Sequence, residues 1–500
     1  MRKTLLNRFV LPAIAFYLYL SGSAPFLGQW DSFDYLKQIV SHQLSALGIG
    51  RPVFLGYNIL LWESLKRVFH LDPLHVEIVI MAGMVLLGAS GVFLFQQLAR
   101  RILPSPAGYM AALALAISPV YAIYSGFIMT EVPMLVALIA SALILWKPSD
   151  KHPLLSDIMS GILFGLAVGI REQALTLGAA FLWILFSRRN SNSVRLRSTL
   201  WFGFAAAIVI LAPAVAFYLL DPIGFMERTK TWLHAIPMGS VQFRTNVEAS
   251  LLFTFVICPG AWFAVAGAGI HRIFRKKNPT DPVAQTDSIP NPIWGIICCL
   301  ILPIAILWRD ADVQMHPRYA LVALPASVIF CASLFRRWVP SRRGVTVWAI
   351  VQILVFGLAV VAFSPYRQTQ TKKMEFARLV RKSLPEAGLI IAGNYSPILD
   401  YYRGIGIRPE WQILWSGWDW NHNAVEAKID DAWSNRVPVY LSTDPPGWSY
   451  FEKEFLDVHL MLKDCPKEPI VPHLFRVHPP ELFREGSARD ERAFEAGRYR

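Results

Sequence analysis

Residues 76–99 read VEIVIMAGMVLLGASGVFLFQQLA, and the single charged side chain in this stretch is Glu77. A helix needs about 20 apolar residues to cross the hydrocarbon core of a bilayer, and this stretch is long enough. Arg100 and Arg101 follow at once, as basic residues often do at the cytoplasmic end of a span. The stretch therefore predicts a transmembrane helix.

Composition indicates that this helix is one of many. Of the 500 residues, 54% are hydrophobic and 17% are charged, and the mean hydropathy is +0.40. Soluble domains carry about 25% charged residues, so these values exclude a disordered chain or a coiled coil and argue against a soluble globular protein. We predict a polytopic α-helical membrane protein with about eleven transmembrane helices. The candidate spans lie near Leu5–Leu27, Val76–Ala99, Ala107–Tyr124, Val132–Trp146, Ile158–Ile170, Ala174–Phe186, Thr199–Leu220, Ala249–Ile270, Ile293–Trp308, Tyr319–Phe335 and Val345–Ser364.

The distribution of charge predicts the orientation of these spans. With the N-terminus in the cytoplasm, the inner segments hold 19 basic and 4 acidic residues, whereas the outer loops hold 10 basic and 12 acidic residues. This is the positive-inside bias of membrane proteins. The net charge of +13 is therefore an orientation signal, and the expected partner is the lipid bilayer and no nucleic acid. The fifth and sixth spans are separated by three residues and form two short spans or, alternatively, one bent helix.

An odd number of spans leaves residues 365–500 outside the membrane. This tail has a soluble composition and alternating helix and strand signals, which predict a small extracytoplasmic α/β domain after a transmembrane catalytic domain at residues 1–364. Four aromatic residues in the tail would stack on sugar rings or, alternatively, form a folded aromatic cluster or a membrane-facing edge: Trp411, Trp415, Trp418 and Trp420. The predicted helices are Lys372–Leu384, Ala424–Trp433 and Trp448–Leu456, and the predicted strands are Leu389–Ala392 and Val437–Leu441.

The first outer loop contains an acidic pair. Asp31 and Asp34 lie in WDSFDY at residues 30–35, directly after the first span. On a helix these two residues would share a face, and charges close to a bilayer often have a function. The alternative for Asp31 is a helix cap or a solvated loop charge. Arg51 follows, and the mixed apolar stretch at residues 54–69 predicts a helix that lies in the membrane interface.

A first span, an acidic motif followed by Tyr35, and a basic-Pro pair together resemble the GT-C glycosyltransferases. These multi-spanning enzymes use sugars linked to polyprenyl phosphate, and the resemblance is to protein O-mannosyltransferases and lipid A aminoarabinose transferases. It implies that Asp31 is the catalytic carboxylate and that Asp34 is a second acidic position. Arg51 stands where the basic residue of the family faces the lipid phosphate, although Val53 replaces the second Pro of that motif.

Two further segments are similar to segments of the family. Glu131 lies in the short second outer loop, where many members carry an acidic residue close to the first-loop acid. The resemblance therefore implies a catalytic role for Glu131, and the alternative is an interfacial charge that ends a helix. Arg171 resembles the Arg that ends a Gly-rich fifth span in the family. An ion pair with Glu172 or another acid is the alternative to substrate contact for Arg171.

The segment His316-Pro317-Arg318-Tyr319 resembles an Arg-Tyr pair that precedes an apolar span in the family. The resemblance implies that Arg318 binds the donor phosphate, with His316 and Tyr319 beside it, and the planar guanidinium suits that task. For Arg318 the alternative is an ion pair with Asp310 or Asp312. A lone loop histidine such as His316 is more often a bystander.

The resemblance implies a membrane glycosyltransferase that moves a sugar from a polyprenyl-phosphate donor to an acceptor hydroxyl on the outer face. The reaction would invert the sugar, with Asp31 as the base and a lipid, a glycan or a protein as the acceptor. Members of the family differ over a divalent metal ion, which Asp31, Asp34 or Glu131 would hold. The expected location is a bacterial cytoplasmic membrane. A transporter or flippase of lipid-linked sugars, or a polymer-assembly scaffold, are the alternatives.

Overall fold

The computed structural model describes residues 2–23, 30–43, 48, 50–146, 153–188, 192–235, 255–274, 317–385, 387–414, 422–443 and 452–480. Within these ranges the helices are α1 (Arg2–Gly22), α2 (Trp30–Ser41), α3 (Pro52–Phe69), α4 (Val76–Ile102), α5 (Ala107–Ala116), α6 (Pro119–Ser125), α7 (Glu131–Trp146), α8 (Pro153–Ile170), α9 (Gly178–Arg188), α10 (Asn192–Leu220), α11 (Pro222–Ala235), α12 (Pro259–Phe274), α13 (Leu324–Trp338), α14 (Arg342–Ser383), α15 (Ser396–Gly404), α16 (His422–Ser434) and α17 (Glu452–Met461). Short 3-10 helices occupy Pro73–His75, Glu172–Leu177, Pro317–Ala323 and Gly393–Tyr395.

The chain divides into two compact units. Unit 1 contains Met1–Pro25, His42–His70 and Glu77–Ser364. Unit 2 contains Phe26–Ser41, Leu71–Val76 and Pro365–Arg500. Unit 2 therefore includes helix α2, with Asp31 and Asp34, together with the C-terminal part of the chain.

Several helices are long and apolar enough to cross a membrane. In the described part of the chain there are five, at Pro73–Ile102, Pro153–Ile170, Ser193–Leu220, Ala320–Trp338 and Arg342–Ser383. Helices α5 and α6 meet at 56° and together form a sixth candidate, and three shorter apolar helices lie at Arg8–Gly22, Glu131–Trp146 and Glu172–Phe186. The helical membrane fold is thus confirmed, and the total of eleven spans stays a prediction because the ninth span, Ile293–Trp308, lies outside the described residues.

The chain turns at Arg171, between α8 and the 3-10 helix Glu172–Leu177. Arg171 has extended backbone angles, φ −156° and ψ 122°, and the next α-helix begins at Gly178. The fifth and sixth predicted spans are therefore two helices joined by a 3-10 turn. This break leaves Arg171 at the end of α8, in a part of unit 1 where its side chain is buried.

Glycines on α8 permit close packing against α10. A methyl group added at Gly161 would meet the backbone of Phe202, and one added at Gly165 would lie 2.6 Å from the carbonyl oxygen of Ala206. Small residues four apart let membrane helices approach at backbone distance. Because these contacts are with backbone atoms, they fix the position of α8 and of the Arg171 that follows it.

Unit 2 contains a five-stranded mixed sheet. Its strands are β1 (Gly388–Ile391), β2 (Trp411–Leu414), β3 (Val439–Ser442), β4 (Lys467–Val471) and β5 (Leu474–Val477), in the order β2-β1-β3-β5-β4. Strand β1 pairs in parallel with β2 and β3, and β5 pairs antiparallel with β3 and β4. The predicted strands correspond to β1 and β3, and the predicted helices overlap α14, α16 and α17. The buried core joins the sheet to α16 and α17 through Leu389, Ile391, Leu414, Val425, Ile429, Ala432, Val439, Leu441, Val458, Leu462 and Val477.

We expect Gly165→Ala to destabilise unit 1. The added methyl group would press on the backbone of α10, and overpacking of this kind costs about 1–3 kcal/mol. Gly203→Ala is the matched control, because Gly203 lies on α10 with nothing within 4 Å of an added methyl group. Thermal unfolding in detergent should show a lower midpoint for Gly165→Ala alone. Equal midpoints for the two variants would contradict the close packing.

Candidate active site

A buried carboxylate lies at the start of α7. Glu131 is the first residue of this helix and has no exposed surface, and Thr130 before it is equally buried. The N-terminal end of a helix favours a negative charge because the first backbone N–H groups point toward it. A charged group in the apolar interior of a membrane protein is costly, and such groups are usually paired and functional. Glu131 is therefore a candidate functional residue.

Arg171 is the first partner of this carboxylate. Its Nη1 lies 2.8 Å from Glu131 Oε1 and donates a second hydrogen bond of 2.8 Å to Thr130 Oγ1. Its Nε donates to Gln173 Oε1 at 3.2 Å. The ion pair with an acid, given above as the alternative for Arg171, is thus present, and the acid is Glu131 in place of Glu172. Three partners hold the guanidinium in one orientation.

Arg318 is the second partner. It lies in the 3-10 helix Pro317–Ala323, is buried, and its Nε is 3.4 Å from Glu131 Oε1. The same carboxylate oxygen thus contacts two guanidinium groups from segments of unit 1 that are far apart in the sequence. Breaking a buried ion pair by removing one partner is costly, so the three side chains depend on one another.

Arg51 belongs to a neighbouring segment of unit 1. It is buried and precedes α3, whose first residue is Pro52. Val53 lies against Gly169 so closely that a methyl group at Gly169 would overlap the Val53 side chain. Gly169 is two residues before Arg171, so the segment that carries Arg51 packs beside the end of α8.

Asp31 and Asp34 lie on α2, which is part of unit 2. Asp31 is in the first turn of that helix, and both residues are partly exposed. Asp34 Oδ2 accepts a hydrogen bond of 2.7 Å from Gln38 Nε2, one turn later. The helical spacing expected from the sequence is present, and the two carboxylates lie along the same side of α2.

Several other predicted site residues lie wholly or partly outside the described residues. His316, Asp310 and Asp312 lie outside the described residues, and for Tyr319 the structure describes the backbone within the 3-10 helix. Of the aromatic stretch in the tail, Trp411 is buried in β2, where its indole Nε1 donates to the carbonyl of Pro385 at 2.9 Å. Trp411 is therefore part of the folded interior, and the other three tryptophans lie outside the described ranges.

The residues around Glu131 do not fit a divalent metal ion. Two guanidinium groups contact its carboxylate, and a cation there would add positive charge beside them. Over the described ranges, no three His, Cys, Asp or Glu side chains come together as metal ligands. No chemical step is therefore assigned to a metal at Glu131.

An apolar cavity of about 80 Å³ lies within unit 1. It begins one helical turn from the charged cluster, because Leu135 follows Glu131 by four residues and Val322 follows Arg318 by four. Its lining continues along α7 to Trp146. Every lining residue is apolar: Leu98, Ile102, Leu135, Leu138, Ile139, Ala142, Trp146, Leu177, Ala180, Phe181, Ile184, Val322, Pro325, Ala326 and Ile329.

Comparison with known proteins identifies the fold. Residues 66–217, which include Glu131 and Arg171, match the family model described as dolichyl-phosphate-mannose-protein mannosyltransferase. The crystal structure of ArnT from Cupriavidus metallidurans in the apo state is similar with a TM-score of 0.61 at 13% identity, over 95% of this chain and 98% of that chain. The chain has the fold of ArnT. The resemblance inferred from the short motifs is thereby confirmed.

A weaker similarity extends to the archaeal oligosaccharyltransferase AglB from Archaeoglobus fulgidus, in complex with an inhibitory peptide and a dolichol-phosphate. The TM-score is 0.45 at 11% identity, over 87% of this chain and 69% of that chain. The apo form of the Archaeoglobus fulgidus enzyme gives a TM-score of 0.45 at 12% identity, with the same coverage. No curated protein shows a significant match to this sequence.

Sequence reasoning missed two members of the site, Thr130 and Gln173. Both are hydrogen-bond partners of Arg171. Their closeness in sequence to Glu131 and Arg171 is a usable signal, because short polar residues beside a buried charge commonly supply its remaining hydrogen bonds.

We expect Arg171→Met to destabilise the protein by about 3 kcal/mol, because it removes one partner of a buried ion pair and leaves Thr130 and Gln173 without their donor. Arg197→Met is the matched control, since Arg197 is exposed on α10 and its replacement should change the free energy of unfolding by less than about 0.5 kcal/mol. Thermal unfolding of the purified protein in detergent measures both. Equal stability of the two variants would show that Arg171 has no structural role.

Proposed function

We propose that this integral membrane protein transfers a sugar from a polyprenyl-phosphate donor to an acceptor hydroxyl. The observation that carries the proposal is the buried cluster of Glu131, Arg171 and Arg318, two of which lie in the segment matched by the mannosyltransferase family model. Two guanidinium groups at one point in an apolar interior suit an anionic ligand. A phosphodiester linked to a lipid is such a ligand, and its lipid chain would enter from the bilayer.

The contacts of the two arginines support different roles. Arg171 is held by Thr130, Glu131 and Gln173, which suits a fixed structural charge. Arg318 contacts the same carboxylate through Nε at the longer distance of 3.4 Å, which suits an arginine that turns toward an incoming phosphate. The planar fork of arginine pairs well with phosphate oxygens. We therefore assign donor phosphate binding to Arg318, with Arg51 as a second contact.

Glu131 takes a different role from the one expected by resemblance. With two arginines on one oxygen, its carboxylate is better suited to orient them than to accept a proton from the acceptor. We assign the base to Asp31, in the first turn of α2 and partly exposed, which is the position that the resemblance implies for the catalytic carboxylate. This assignment keeps the phosphate site and the base on separate parts of the chain.

The chemistry follows from these roles. The carboxylate of Asp31 takes the proton of the acceptor hydroxyl as its oxygen attacks the anomeric carbon. The bond from that carbon to the phosphate oxygen breaks in the same step, which inverts the sugar and needs no covalent intermediate with the enzyme. Arg318 stabilises the charge that develops on the departing polyprenyl phosphate.

The apolar cavity supports a lipid-linked donor over a soluble one. It begins one turn from Glu131 and from Arg318, and it has no polar lining. Its volume of about 80 Å³ suits the start of a polyprenyl chain whose phosphate lies at the arginines. Nucleotide sugars lack such a tail and would leave this space empty.

The positive-inside bias supports an orientation with the N-terminus in the cytoplasm and residues 365–500 on the outer side of a bacterial cytoplasmic membrane. Asp31 would then act at the outer face, where lipids, glycans and proteins of the cell envelope offer hydroxyl groups. The enzyme would transfer a hexosyl or pentosyl group.

Transfer itself is the first test. We expect purified protein, incubated with radiolabelled polyprenyl-phosphate sugars and membrane extract, to label an acceptor, and Asp31→Asn to abolish labelling because it removes the proton acceptor and keeps the side-chain shape. Asp72→Asn is the matched control, since Asp72 caps the 3-10 helix Pro73–His75 in an exposed position. Near-normal turnover of Asp31→Asn would remove Asp31 as the base. A wild-type protein that moves lipid-linked sugars across vesicles without labelling an acceptor would favour the flippase.

We expect Arg318→Ala to raise the KM for the donor by about 10- to 100-fold, because hydrogen bonds to a charged group contribute about 1.5–3 kcal/mol. Arg318→Lys should recover only part of this loss, since an ammonium cannot offer two parallel donors. Arg228→Ala is the matched control: it breaks another arginine–carboxylate pair of unit 1, with Asp221 at 3.0 Å. Unchanged donor KM with reduced thermal stability in Arg318→Ala would assign Arg318 a purely structural role.

A further inference from the structure

Helix α2 is joined to α15 by an ion pair between residues 363 positions apart in the sequence. Lys37 Nζ lies 2.7 Å from Asp400 Oδ2, and the Asp400 side chain is 5% exposed. Arg403, on the same helix as Asp400, contacts the other carboxylate oxygen with its Nη2 at 2.6 Å. Asp400 therefore has one cationic partner from its own helix and one from α2.

Packing on both sides of this ion pair fixes the contact between the two helices. The rings of Phe33 and Tyr401 lie with their centroids 5.9 Å apart, and both side chains are buried. A methyl group added at Gly404 would overlap the aliphatic part of Lys37, so the lysine stem lies directly on the end of α15. An apolar contact and a charged contact thus hold α2 at two points.

Lys37 lies on the same partly exposed stripe of α2 as the acidic residues. Asp31, Asp34 and Lys37 follow one another at three-residue intervals, so each side chain is turned by about 60° from the one before and the stripe winds slowly around the helix. Holding Lys37 therefore fixes the rotation of α2 about its axis and, with it, the direction of the two carboxylates.

We propose that the C-terminal part of unit 2 positions the catalytic helix, with Lys37 and Asp400 as positioning residues for the carboxylate of Asp31. This inference rests on the proposed function, which makes Asp31 the base. Proton transfer requires the base within hydrogen-bond reach of the acceptor hydroxyl, and a displacement of about 1 Å can cost about 100-fold in rate. The ion pair restricts such displacement from a point less than two helical turns away.

The decisive comparison removes each cation from Asp400 in turn. Lys37→Met keeps the aliphatic stem against Gly404 and deletes the ammonium, while Arg403→Met deletes the other cation without touching α2. We expect Lys37→Met to lower kcat about tenfold or more with the donor KM within about twofold of wild type, because the donor phosphate is bound elsewhere. Lys37→Arg should restore most of the rate, and Arg403→Met should leave kcat within about twofold.

Hydrogen–deuterium exchange of the full-length protein in detergent provides the second measurement. Amides of residues 30–41 should exchange faster in Lys37→Met than in wild type or Arg403→Met. Faster exchange with unchanged kcat would overturn the catalytic part of the inference, and unchanged exchange would overturn the anchoring itself. If Lys37→Met is fully active while Asp31→Asn is inactive, the inference fails and the proposed function stands. If the wild-type protein transfers no sugar, the proposed function fails. The hydrogen–deuterium exchange of residues 30–41 then decides by itself whether Lys37 anchors α2.

Discussion

One buried carboxylate constrains the arrangement of unit 1. Glu131 has no exposed surface, and an uncompensated charge at such a position would be too costly to maintain. Arg171 and Arg318 supply the compensation from segments 40 and 187 residues away along the chain, so the ends of their helices must converge on the start of α7. The charged cluster is therefore at once a requirement of the fold and the best candidate for the chemistry.

The packing of α8 makes this convergence possible. Its glycines at 161 and 165 bring it to backbone distance from α10, and Gly169 receives Val53 of α3. Larger side chains at these positions would move the helix and the Arg171 at its end. In this way residues with no chemistry of their own determine where the buried guanidinium of Arg171 lies, and they bring the Arg51 segment beside it.

Sequence patterns predicted the local features well and the long-range partners poorly. The spacing of Asp31 and Asp34 correctly predicts that they share a side of a helix. Hydropathy predicts helices because an apolar run in lipid must satisfy its backbone hydrogen bonds within the run itself. Patterns along the chain contain no information that pairs Arg171 with Glu131 in preference to Glu172. The same holds for Lys37 and Asp400, which meet only through the fold. Strands β2, β4 and β5 were not predicted because each has partly exposed residues, whereas β1 and β3 are buried along their whole length.

The central claim is that Arg318 leaves the carboxylate of Glu131 to bind the donor phosphate. The most direct measurement is an experimental structure of the purified protein with a bound polyprenyl phosphate. The account predicts phosphate oxygens within hydrogen-bond distance of the Arg318 guanidinium, Arg171 still on Glu131, and the first isoprenoid units against Leu135 and Val322. A phosphate bound elsewhere, with Arg318 still on Glu131, would contradict it.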